Sequence, residues 1–197
     1  MTKKESKDKR IGDILNAAVD EFLDKGYENA SMESIARKAG VSKGGLYHHF
    51  RSKDEVLLYA NEKLNEPVDA MKSLIKEHPC VEEGLKFFIR SYLEYWTVHK
   101  KELIFFFLSM TKALSYSGIF NLYEKYLEEH IDFFSGLFRK GIESGEFIQH
   151  DTRASAVALI SALDGVLAYL VLDKKLKLDE TIKGFGEKFV DSVLVKK

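Results

Sequence analysis

Ser31-Met32-Glu33-Ser34-Ile35-Ala36-Arg37-Lys38-Ala39-Gly40-Val41-Ser42-Lys43-Gly44-Gly45-Leu46-Tyr47-His48-His49-Phe50 reads as two short helices closed around a tight turn. Ser31 is placed to cap the first and Ser42 the second, each offering a hydroxyl to amides that have no partner inside the helix. Ala36 is small enough for the second helix to come close, and Gly40 supplies the left-handed backbone that a turn this short demands. Ile35, Val41 and Leu46 then fall where two crossing helices share apolar contacts. The second helix opens on Lys43-Gly44-Gly45, although each glycine costs about 0.8–1 kcal/mol against alanine in a helix interior. A bare backbone beside free helix-terminal amides can approach phosphate closely, which suits entry into a DNA groove.

Upstream, Ile11, Ile14, Leu15, Ala18, Val19, Phe22 and Leu23 recur at helical spacing, predicting a helix over about Lys9–Lys25 that Gly26 ends. Downstream, a fourth helix starts near Lys53 with Val56, Leu57, Ala60 and Leu64 on one face, and Glu66-Pro67 is expected to break or kink it. Further amphipathic helices follow at roughly 68–77, 81–99, 101–114, 119–144, 152–172 and 179–195. No strand or repeat is indicated. The expected fold is all-α: a three-helix helix-turn-helix domain over residues 1–52, joined to a larger helical body over residues 53–197.

With 45% apolar and 31% charged residues and two prolines, the chain is a folded one. Cys80 is the only cysteine, which excludes an internal disulfide and a thiolate-rich zinc site. The polar, lysine-rich start carries no signal for export, so the cytoplasm is expected. Ala154–Leu172 is long and apolar enough to test as a membrane span. Asp164 at its middle costs about 2.5–3.5 kcal/mol on insertion, and no membrane partner is expected. The net charge of −1 hides a division along the chain. Ser34 to Lys53 holds five basic residues and no acidic one.

The stretch from Ser31 to Lys53 closely resembles the DNA-binding region of TetR-family transcriptional regulators. Chain length, helix count and the Gly141-Ile142-Glu143-Ser144-Gly145-Glu146 segment are similar to that family as well. The resemblance implies that Lys43, Gly44, Gly45 and His48 face base edges. It implies that Tyr47, His49 and Lys53 contact phosphates, with Ser31 and Met32 also meeting the DNA backbone. The residue chemistry agrees, because lysine donates to guanine acceptors while Tyr, His and Lys donate to phosphate oxygens. With two glycines in the reading turn, part of the specificity falls to DNA shape.

His48-His49 does not read as a metal site, since adjacent helical positions diverge. Glu128, Glu129, His130 and Asp132 read as an exposed acidic helix face. No metal or cofactor is expected, and no nucleophile, metal cluster or phosphate loop has catalytic spacing, so the protein is expected not to be an enzyme.

Aromatic residues at helical spacing are usually core, and they are also what lines an apolar cavity. Phe88, Tyr92, Trp96, Phe106, Met110, Tyr123 and Phe134 are the candidates for a pocket that takes an apolar or aromatic small-molecule effector. The helix over 152–172 is apolar on nearly every side, more than one core can use. Its small residues Ala154, Val157, Ala158, Ser161, Gly165 and Ala168, together with Phe185 and Phe189, are expected to form a homodimer interface of four helices. The resulting reading is a ligand-responsive, dimeric regulator, a repressor released from a near-palindromic double-stranded operator by a small molecule. The competing reading is a helical carrier or protein-interaction module without specific DNA binding.

Overall fold

A computed structural model describes residues 3–115 and 117–196. Nine α-helices follow one another among the described residues: α1 (Lys3–Asn29), α2 (Met32–Lys38), α3 (Lys43–His49), α4 (Lys53–Leu74), α5 (Val81–Val98), α6 (Lys100–Ser115), α7 (Ser117–Glu143), α8 (Thr152–Leu172) and α9 (Leu178–Phe189). Single 3-10 turns occur at Ile75–Glu77 and Asp191–Val193. The expected all-α class is what the chain adopts. Its β-type pairing among the described residues is an isolated antiparallel bridge between Phe147 and Leu194.

Three boundaries differ from those the sequence suggests. α1 begins at Lys3 rather than Lys9, because nothing in the charged start breaks a helix and Lys and Glu are good helix formers. Gly26 does leave helical geometry, at φ 75° and ψ 157°, before a last turn to Asn29. α4 runs through Pro67 to Leu74 without ending. A proline inside a helix removes one backbone bond and crowds the preceding turn; burial of Val68 and Ile75 just past it favours continuing. α9 stops at Phe189, short of the expected 195. The residues beyond pair elsewhere: Ile148 N–H donates to the Val193 carbonyl at 2.8 Å, and Val195 N–H to the Glu146 carbonyl at 2.9 Å.

The chain divides into two compact units, Met1–Glu66 with Ile104–Tyr123, and Pro67–Leu103 with Glu124–Lys197. In the first, Ile14, Ala18 and Phe22 of α1 share a core with Ile35, Leu46, Phe50, Val56, Leu57 and Ala60. Phe105, Ala113 and Tyr123 belong to that same core, with Phe105 stacked on Phe22 at 6.1 Å. The first unit therefore holds more chain than residues 1–52. Burying each large side chain of this kind stabilises by about 1.5–3 kcal/mol before entropy is counted.

In the second unit α5 is the central element, packed against α8, α9 and the 3-10 turn at Ile75–Glu77. Its buried residues Val81, Leu85, Phe88, Ile89, Tyr92, Leu93 and Trp96 recur every three or four positions, the pattern of a helix with one wide core face.

Candidate nucleic-acid interface

The helix-turn-helix is held by local bonds that its sequence specifies. Ser31 and Ser34 form a reciprocal capping box at the start of α2, Ser34 N–H donating to Ser31 Oγ at 3.1 Å and Ser31 N–H to Ser34 Oγ at 3.0 Å. Gly40 carries φ 66°, a value other residues adopt only under strain, and Val41 N–H closes the turn on the Ala36 carbonyl at 3.0 Å. Ser42 caps α3 by accepting from Gly45 N–H at 3.0 Å. Leu46 and Phe50 are buried beneath α3.

This arrangement turns the other side of α3 outward. Lys43, Gly44, Tyr47 and His48 are exposed, Tyr47 at 46%. A Cβ added at Gly44 would meet nothing within 4 Å, so no neighbour in the chain requires that glycine. Gly45 is half-buried against the Ser42 cap. Lys43 lies 3.7 Å from Glu33, both side chains in solvent, a contact worth little and easily exchanged for another. His48 and His49 meet edge to face at 5.2 Å. Burial, then the charges of His48, Lys7 and Arg10, lower the pKa of His49.

The remaining three candidates sit differently. Ser31 is exposed, but its hydroxyl already serves the capping box. Met32 is buried, so its backbone amide at the start of α2 is what it can present. Lys53 donates to the carbonyls of Tyr27, Glu28 and Ala30 at 2.6, 3.3 and 2.9 Å and lies 4.4 Å above the Tyr27 ring. Partial burial lowers its pKa. It therefore closes the C-terminal end of α1, a task its sequence position did not reveal.

The seven candidate pocket residues fall into two sets. In the second unit Phe88, Tyr92, Trp96 and Phe134 are buried together, with ring centroids of Phe88 and Phe134 4.8 Å apart and of Tyr92 and Trp96 6.2 Å apart. In the first unit Phe106 and Tyr123 are buried and Met110 half-buried. Tyr123 belongs to a buried polar cluster there, its hydroxyl 2.5 Å from Ser109 Oγ, which donates to Asn61 at 2.9 Å.

Polar residues inside the second unit escaped the sequence. Tyr92 donates to Asp164 at 2.6 Å, and burial raises the Asp164 pKa to about 6 against the lowering effect of that bond. His130 is buried rather than part of the exposed acidic face, a correction that follows from its pointing inward while Glu128 and Asp132 turn out to pair with Arg153. Burial drops its pKa to about 4, helped by the nearby Lys72 charge. Among the described residues no group of three His, Cys, Asp or Glu side chains is placed to hold a metal.

Ala154, Val157, Ala158, Ser161 and Gly165 lie exposed along one face of α8, with Ala168 half-buried at its edge. Phe185 and Phe189 of α9 are half-buried, with rings 5.3 Å apart. α8 is long and apolar enough to cross a membrane by length and composition, and 22% of that apolar window is buried within the chain.

Comparison with known proteins matches two sequence profiles: residues 14–60 fit the one described as bacterial regulatory proteins, tetR family. Residues 105–194 fit the one described as QacR-like protein, C-terminal region. An uncharacterised HTH-type transcriptional regulator of Bacillus subtilis (strain 168), YfiR, is 33% identical over 156 residues, covering 73% of this chain and 71% of its own. The fatty acid metabolism regulator protein of the same organism is 25% identical over 168 residues, covering 84% and 86%. Among solved structures, the fatty acid degradation regulator FadR from Bacillus halodurans superposes with a TM-score of 0.76 at 27% identity, over 92% of this chain and 94% of that one. These relatives are regulators rather than enzymes.

Proposed function

This chain belongs to the TetR family of bacterial DNA-binding transcriptional regulators, and on that premise we propose that it is a cytoplasmic repressor whose homodimer leaves a near-palindromic operator when an apolar effector binds. The observation that carries the reading is the outward face of α3. Lys43, Gly44, Tyr47 and His48 are exposed on one side of a helix whose other side is fixed by Leu46 and Phe50. Lys43, Gly44, Gly45 and His48 address base edges; Tyr47, His49 and the Ser31 and Met32 end of α2 address phosphates, while Lys53 stays on the carbonyls that end α1. Two copies of α3 about 34–36 Å apart would enter successive major grooves.

The small-residue face of α8, with Phe185 and Phe189, supports dimerisation, because so much exposed apolar surface on a helix calls for a partner. The names of the relatives concerned with fatty acids point to a long-chain acyl compound as the effector. Within the second unit, Phe88, Tyr92, Trp96 and Phe134 supply the apolar side chains for it. An effector that prefers the non-DNA conformation lowers DNA affinity by its own preference between the two states.

The test is selection of bound sequences from a random duplex pool, followed by titration of the selected DNA with and without palmitoyl-CoA. A near-palindrome whose binding weakens on adding the thioester is expected. No enriched sequence from folded protein at low salt would replace this reading with the carrier one, and enrichment indifferent to palmitoyl-CoA would overturn the acyl effector alone. Val157→Arg with Gly165→Arg should give a monomer by sedimentation; an unchanged dimer would reject the α8 interface.

A further inference from the structure

The face of α1 that meets the helix-turn-helix extends past the end of the core. Positions 7, 10, 14, 17 and 21 step by three and four, which keeps them on one side of the helix. Ile14, Ala17 and Glu21 on that side are buried, and Glu21 lies 3.6 Å from Lys38 of α2. One heptad earlier the same side carries Lys7 and Arg10, both exposed. Their charges reach the His49 imidazole at the C-terminal end of α3. α1 thus begins roughly 16 Å before its first fully buried residue, at 1.5 Å of rise per residue, and its overhang is basic on the side that meets the helix-turn-helix through α2.

The opposite character of the neighbouring side makes this more than a solvated charge run. Asp8, Glu62 and Glu66, with Ile11, Leu15 and Tyr59, line a groove of 460 Å³ between α1 and α4. Lys63 lines it too, with its ammonium on the Gly12 carbonyl at 3.2 Å and Asn16 at 3.0 Å. Three carboxylates against one lysine leave the groove acidic, and Lys7 and Arg10 stand on the other side of α1, the one that meets the helix-turn-helix. α3 itself is short, about 9 Å from Lys43 to His49. A cation beside its C-terminal end lies outside the base-facing first turn, where the sugar-phosphate backbone bordering an occupied major groove would run.

We infer that Lys7 and Arg10 form a phosphate-binding extension of the DNA interface, contacting the backbone of double-stranded DNA that flanks the groove occupied by α3. The inference rests on the DNA-binding reading of the α3 face. Backbone contacts of this kind add affinity and salt sensitivity without reading sequence.

The experiment is a binding titration from 50 to 200 mM salt, using both the selected operator and a random-sequence duplex. Each phosphate contact contributes about 0.9 to the slope of log affinity against log salt. Lys7→Ala with Arg10→Ala is expected to make the slope shallower by about 1.8 on both duplexes, with the preferred sequence and the thermal midpoint unchanged. Lys9→Ala, which removes an exposed charge from a different side of α1, is expected to keep the parent slope. A double variant with the parent slope overturns the inference while leaving the α3 reading intact. So does a Lys9→Ala variant that loses as much per charge, since net charge alone would then explain the effect. A parent protein without salt-sensitive DNA binding would overturn the α3 reading and this extension together.

Discussion

The outer face of α3 and the interior of the second unit place polar groups in opposite ways. On α3, Lys43, Tyr47 and His48 stand in solvent beside a glycine that no neighbour in the chain requires. In the second unit Tyr92 and His130 are buried and Asp164 is half-buried against Tyr92, and burial shifts the ionisation of each. Polar groups that the fold leaves idle are available to a ligand, whereas polar groups that it buries must be satisfied by the fold and bear on its stability. Substitutions on α3 should therefore change binding with little effect on stability, and those in the interior should do the reverse.

The largest expected effect comes from crossing between the two sides of α3 itself. Leu46→Ala should destabilise the protein by about 2–5 kcal/mol, because it empties a fully buried site. Denaturant titration measures this, and a loss under about 1 kcal/mol would show that the helix-turn-helix core is not what holds α3.

Asp164→Asn should act next most strongly, and with a definite pH dependence. The folded pKa of Asp164, raised by burial to about 6, exceeds its ordinary value of 3.8. The folded state therefore holds more protons between those values, and stability from this group grows as pH falls from 6 towards 4. Asparagine keeps an acceptor for Tyr92 and removes the charge, so it should stabilise by about 2 kcal/mol at pH 7.5 and lose that advantage towards pH 4. His130 runs the other way: with its folded pKa lowered to about 4, its contribution is present above 6.5 and declines as pH falls. The difference between the Asp164→Asn variant and its parent isolates the carboxyl from that opposing trend. An advantage independent of pH would sink the assignment.

Tyr47→Ala should weaken operator binding roughly tenfold, a change of about 1.4 kcal/mol, while stability stays within about 0.5 kcal/mol of the parent. Equal loss in both would make Tyr47 part of the core instead. Gly44→Ala should give the smallest change in stability, a gain of up to about 1 kcal/mol from helix propensity, since a Cβ there meets nothing. It should nevertheless reduce DNA affinity. Unimpaired binding by this variant would remove close backbone approach as the reason for the glycine.

The helix-turn-helix is legible in the sequence because the residues that build it are contiguous. Ser31, Gly40, Ser42 and Leu46 act within one turn or on the next helix, and their caps, turn and buried contacts are in place. Lys53 shows the boundary of such reading. Its three carbonyl partners lie 23 to 26 residues away in the chain, so the resemblance implied a phosphate contact for it and nothing local disclosed its closure of α1. Pro67 misled for a related reason, because its local cost is real and the burial of Val68 beyond it is a tertiary matter.

Sequence by itself determined the helical class, the position of α2 and α3, and which side of α3 faces out. Those follow from periodicity, capping and glycine placement, which operate over a few residues. Tertiary structure alone decided that Phe105, Ala113 and Tyr123 join the core of the helix-turn-helix, that His130 is buried in the second unit, and that Asp164 accepts from Tyr92 there. Each of these depends on which distant side chains meet, and burial and charge in a folded chain are properties of that meeting rather than of any one residue.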